Sequence, residues 1–233
     1  MKAFGKKTSC WGWLLTGALL LPALAVQAQG VFNMGTLTNT LSIPTESGKA
    51  PARRPAASQT VLRYVPTVAQ QQQTVQAYVA RLKPTDPKAA QAVATTFGPG
   101  KTSYGQLYRE TLAGSGFQDN DVASALGLYL ELGYRIAHNI EDDKVVTPTQ
   151  ERGLRAQVAQ ILTQTGALTT PAAAARLGEE MKLQTVVLAV GWLQARKGSQ
   201  LGTFRTTTTQ QFKTTYGFDF QQIKLTDSGF SKG

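Results

Sequence analysis

The sequence predicts an all-α fold: about seven helices around one central apolar helix near 171–197, with a short extended C-terminal tail. Three observations lead there. Apolar residues recur at helical spacing from Val61 onward, capping residues and prolines punctuate them, and no segment before the tail alternates with period two.

The first helix carries Val68, Gln72, Val75, Val79 and Leu82 on one stripe, and Pro84 stops it. Asp86 is placed as an N-cap, with Pro87 at the first helical position, and Ala89, Ala90, Val93 and Phe97 follow. Gly98-Pro99-Gly100 ends that helix, and a short one bears Tyr104, Leu107, Tyr108 and Leu112 before Gly114-Ser115-Gly116. Asp119-Asn120-Asp121 opens a longer helix over 121–141, with Val122, Leu126, Leu130, Gly133, Ala137 and Ile140 on its apolar stripe.

Thr147-Pro148-Thr149-Gln150 reads as a capping box, Leu154, Val158, Ile161 and Leu162 as a buried face, and Gly166 as a stop. Thr170-Pro171 starts the next helix, which runs to about Lys197. Its stretch from Leu183 to Leu193 is apolar nearly all round and belongs at the centre. Phe204, Phe212 and Tyr216 predict a last helix despite four threonines at 206–209, and Gly217 caps it. The tail holds Phe218, Phe220, Ile223, Leu225 and Phe230.

Ahead of this domain, Lys2, Lys6 and Lys7 precede an apolar stretch to Ala25, and Val26-Gln27-Ala28 offers small residues. That order is the pattern of a secretory signal peptide cleaved after Ala28, which implies a secreted or periplasmic protein. The apolar run is interrupted by Pro22 and is too short for a spanning helix. Cys10 lies before the apolar stretch, not at its end where a lipidated cysteine belongs. Residues 29–60 are rich in Thr, Ser, Pro, Ala and Gly and read as a flexible tether, in which Val31, Phe32 and Met34 are an apolar exception. The helical domain is then 61–233.

Cleavage removes the single cysteine, so the domain is stabilised by its core and not by disulfides. Loss of three lysines takes the formal charge from +10 to +7. The excess is spread over Arg152, Arg155, Arg196, Lys197, Lys182 and Lys213 with no basic block. Such a charge attracts anionic envelope components, acidic lipid, acidic polysaccharide or extracellular DNA, without specific nucleic-acid readout, and the simpler reading of the same charge is the ordinary solubility of a basic exported protein. Arg152, Arg155, Arg196 and Lys197 are the binding candidates.

No catalytic motif survives. Gly98-Pro99-Gly100-Lys101-Thr102 ends like a phosphate-binding loop, but Thr95 stands where its first glycine belongs and a helix precedes it. His138 is the sole histidine, which excludes H-E-x-x-H zinc chemistry. No metal or cofactor is expected. Glu179 and Glu180 are neighbours and point about 100° apart, which makes no catalytic pair. Glu180 is instead expected to form a surface pair with Arg176. Asp142-Asp143 lacks the glycine and spacing of a calcium loop. Glu131, Arg135, His138 and Asp142 fall on one stripe opposite the apolar one, expected as a solvated face. Within it Glu131 and His138 are the two acid–base candidates. Trp192 and the tyrosines at 104, 108, 129 and 134 are expected in the core.

Four segments carry a family resemblance. They are Leu62-Arg63-Tyr64-Val65-Pro66, Lys83-Pro84-Thr85-Asp86-Pro87, Gly116-Phe117-Gln118-Asp119-Asn120-Asp121-Val122-Ala123, and Tyr216-Gly217-Phe218-Asp219 with Leu225-Thr226-Asp227-Ser228-Gly229-Phe230. In this order the chain resembles a family of exported bacterial proteins defined as a domain of unknown function. The resemblance implies a compact helical domain behind a signal peptide, and brings no activity, cofactor or catalytic residue with it. Two function classes follow from the residues: a non-catalytic binding domain of the cell envelope, which is preferred, and a hydrolase acting on envelope glycan or peptide.

Overall fold

A computed structural model describes residues 60–166 and 168–232. The expected signal peptide and the tether, apart from Thr60, lie outside the described residues, together with Val31, Phe32 and Met34. Seven α-helices follow: α1 Val68–Leu82, α2 Pro87–Phe97, α3 Tyr104–Thr111, α4 Val122–His138, α5 Pro148–Thr165, α6 Pro171–Lys197 and α7 Leu201–Tyr216. A 3-10 turn, Phe220–Gln222, leads into strands β1 (Ile223–Thr226) and β2 (Gly229–Lys232). The predicted all-α bundle is the fold. Its extended tail is an antiparallel hairpin, with Ile223 opposite Lys232 and Leu225 opposite Phe230.

The helices start where short polar side chains satisfy orphan backbone donors. Thr67, Asp86, Ser103, Asp121, Thr147 and Thr170 each accept from the backbone N–H three residues on. Each such cap contributes about 1 kcal/mol. Thr147 and Gln150 close the predicted capping box, and Gly166 ends α5 at positive φ. The loop resembling a phosphate-binding motif is a turn between α2 and α3.

Helices α4 and α6 pack along one another at the centre, with α5 and α7 on α4 and α1 and α3 on α6. Both central helices are therefore buried on most of their circumference. The leading strand-like segment ties in by Tyr64 N–H to Asn120 O and by the Leu62 carbonyl, which accepts from Val122 N–H. An aromatic cluster of Tyr129, Tyr134, Phe212, Phe220 and Phe230 fastens α7 and the hairpin to α4, with Phe212 5.0 Å from both Tyr129 and Phe220. Gly133 is what lets it close: a Cβ there would lie 2.6 Å from the Phe212 ring.

This arrangement corrects three local expectations. The Glu131/Arg135 stripe of α4 is not solvated, because α5 and the loop after α4 cover it: Glu131 is 1% exposed and Arg135 7%. Lys182 is 1% exposed rather than part of a basic surface. Glu180 pairs with Arg81 of α1 at 2.7 Å, not with Arg176. In each case a distant element supplies the cover that helical periodicity alone does not reveal.

Candidate functional site

Two networks of buried charge on the central helices differ in kind: one is closed by its own partners and the other lines a cleft. In the first, Glu179 accepts from Tyr64 Oη at 2.9 Å and from Tyr104 Oη at 2.8 Å. Lys182 Nζ lies 3.0 Å from Glu179 Oε1 and 2.8 Å from Asp119 Oδ1, and donates to Asn120 Oδ1 at 2.6 Å. Every charge here has partners, and the Tyr64 and Tyr108 rings cover the ammonium at 5.3 Å. This closed network joins the leading segment, α3 and the α4 cap to α6. It is structural.

The second group lines a cleft of about 740 Å³. Helix α4 gives Leu128, Glu131, Leu132 and Arg135; the first turn of α5 gives Pro148 and Glu151; α6 gives Thr185 and Ala189. The loop from Glu141 to Thr147 and the stretch around Gly114-Ser115 complete the walls. Gly116 runs so close to α5 that a Cβ would lie 2.2 Å from Pro148 O. That approach lets its N–H donate to Glu151 Oε2.

Arg135 is committed to Asp143, at 2.5 Å through Nη2, while its Nη1 stays 3.8 Å from Glu131 Oε1. Glu131 is thus buried with Arg135 held off at 3.8 Å, and its Oε2 has no hydrogen-bond partner; nor has Arg135 Nε. Burial pushes the Glu131 carboxyl up to about 8, helped by the charges of Glu151 and Asp143 and opposed by Arg135. Glu131 is then mainly protonated at neutral pH, able to donate as well as accept. Burial also raises Glu151, against the Gly116 N–H and the charges of Arg135 and Arg152.

The other candidates are dispersed. His138 donates from Nε2 to Phe220 O at 2.9 Å and packs 4.4 Å from the Tyr134 ring, away from the cleft lining. Arg155 forms two bonds to the buried Asp121, at 3.0 and 2.7 Å. Arg196 pairs with Glu141 at 2.8 Å on the cleft rim. Arg152 is exposed and donates to Thr149, and Lys197 is exposed at the end of α6. The structure therefore places Glu131 in the cleft and separates it from His138. Sequence reasoning passed over Glu151, whose position beside the capping box reads as an ordinary helix-start acid.

Fold and site together define a helical domain with an acidic, partly buried cleft between its two central helices and an irregular loop. The chain belongs to the Family of unknown function (DUF6683), whose model matches residues 18–232. No curated protein and no solved structure matches it. Among the described residues, no helix is long and apolar enough to cross a membrane.

Proposed function

We propose that the chain is an exported protein of the cell envelope, secreted or periplasmic, that works without catalysis by holding a polar ligand in the α4–α5 cleft. One observation carries this reading: Glu131 and Arg135 line a cleft of ligand size, and the buried Oε2 of the one and Nε of the other lack hydrogen-bond partners. Buried polar groups are normally satisfied, and an unsatisfied pair costs stability that a ligand would restore. The signal-peptide pattern of residues 1–28 supports the location. The formal charge supports long-range attraction to anionic envelope components, with Arg152 and Lys197 the candidates not drawn into ion pairs with Asp121 or Glu141.

A second reading has its own support. Glu131, with its raised carboxyl, shares the cleft with a second carboxyl, Glu151, which is the pairing a hydrolase of envelope glycan or peptide uses. One experiment separates the two. The purified chain is incubated with solubilised envelope glycopeptide, products are read by mass spectrometry, and cleft amides such as Ser115 and Thr147 are followed by NMR. Shifted amides with intact glycopeptide support binding. New chain ends that vanish in Glu131→Gln establish the hydrolase, and unshifted amides with intact substrate remove both.

A further inference from the structure

We propose that the ligand of this cleft is an organic cation carrying an ammonium or similar group, seated against the unpartnered carboxyl of Glu131. This rests on the reading of the cleft as a binding site and names its ligand class. The chain is basic overall, with a formal charge of +10, yet its cleft is acidic. Glu131, Glu151, Glu141, Asp142 and Asp143 line it, against the lining cations Arg135 and Lys144, while Arg196 pairs with Glu141 from the rim.

Those two cations do not neutralise the site where it is deepest. Arg135 turns its Nη2 to Asp143 at 2.5 Å, and leaves Glu131 with a contact of 3.8 Å. Glu131 Oε2 is sealed from water in the free protein and has no hydrogen-bond partner, so a cation that reaches it as the side chain turns toward the cleft displaces no donor. Among the described residues, no three or more acids, histidines or cysteines come together as metal ligands. Spread acidic charge over a roomy cleft suits an organic cation better than a metal ion, which needs converging oxygens.

Uptake of such a ligand is coupled to a proton. The charged groups that share the cleft with Glu131 are Arg135 on its own helix, Glu151 on α5, and Glu141, Asp142, Asp143 and Lys144 in the loop; the polar groups from α6, the end of α3 and the stretch after it are Thr185, Thr111 and Ser115. Free Glu131 holds its proton up to about pH 8, and an ammonium favours the ionised form, so binding expels that proton. Affinity then rises as pH increases, until Glu131 is ionised without the ligand.

The test uses three five-carbon probes that differ only in their ends: diaminopentane, pentanediol and glutarate. Diaminopentane is expected to shift the cleft amides, while pentanediol and glutarate leave them unmoved. Its affinity is expected to rise about fifty-fold between about pH 6 and pH 8, and Glu131→Gln to abolish that rise. Calorimetry of the unaltered protein in two buffers of different ionisation enthalpy counts protons without any variant, and release of about one per ligand near pH 6 is expected. Failure of diaminopentane to reach the cleft near pH 8, or an affinity flat in pH with no proton released, overturns the proposal. Occupation by pentanediol or glutarate in preference overturns it too, but leaves the broader reading of the cleft as a binding site in place.

Discussion

Lys182 Nζ lies 3.0 Å from Glu179 Oε1, one turn along α6, and both side chains are sealed from water. A buried ion pair contributes little by itself, because desolvation offsets the Coulomb gain; breaking it is what costs. Here the pair also anchors the leading segment through Tyr64, α3 through Tyr104, and the α4 cap through Asp119 and Asn120. Lys182→Met is expected to lower the unfolding free energy by about 3–5 kcal/mol, since it strands the Glu179 carboxylate. Adding Glu179→Gln should recover part of that loss. Urea denaturation of the two singles and the double gives the coupling directly.

Glu131 gives stability a pH dependence of definite sign. Its carboxyl is raised from 4.5 to about 8 in the folded protein, so the folded state holds a proton that the unfolded chain has released. The contribution is fully present below about pH 4.5 and is lost as pH rises through about 8, at about 1 kcal/mol per pH unit. Glu131→Gln keeps the shape and removes the titration. Native and variant should match near about pH 4–5, and the variant should become progressively the more stable toward pH 8. Parallel slopes in urea unfolding across that range would refute it. A site that costs the fold stability in this way is what a binding function imposes.

Where the sequence was legible, it was legible locally. Asp86 with Pro87, the Thr147–Gln150 box and Thr170 with Pro171 set three helix starts within a few residues of backbone, and the structure keeps all three. The apolar run Leu183–Leu193 marked α6 as central for the same reason: its periodicity lies in one segment. Glu131 could be singled out on α4, but not its burial. That depends on α5 and on a loop held by Arg135–Asp143 and Arg196–Glu141, contacts 8 and 55 residues apart. Nor does the sequence set Lys182 apart from the dispersed basic residues, because its partner Asn120 lies 62 residues away. Helical spacing reports what a helix presents; only the tertiary fold decides what covers it.

The hairpin turn rests directly on the backbone of α5. A Cβ at Gly153 would lie 2.0 Å from Asp227 O and 2.9 Å from Gly229 N, and backbone on both sides has little room to yield. Gly153→Ala should therefore favour helix α5 by propensity yet destabilise the protein, by about 1–3 kcal/mol. The loss should appear as faster amide exchange in β1 and β2 and weaker protection of Phe230 N–H, which Gln157 accepts at 2.9 Å. Unchanged exchange in the hairpin would show that the turn moves aside freely.

Arg152 and Arg155 lie one turn apart on α5 and should answer charge reversal in opposite ways. Arg155 grips Asp121, which is fully buried, caps α4 and accepts from Ser124 N–H. Arg155→Glu sets a second carboxylate against the first and is expected to cost about 3–5 kcal/mol, enough to unfold a marginal domain. Arg152 reaches only Thr149 from an exposed position, so Arg152→Glu should stay within about 0.5 kcal/mol of the native protein. Thermal unfolding of both variants decides it. The contrast also fixes how anionic attraction is to be probed: Arg152→Glu with Lys197→Glu lowers the surface charge of a folded protein. Loss of anionic-vesicle binding in that pair would report charge, whereas the same loss in Arg155→Glu would report only a domain that no longer folds.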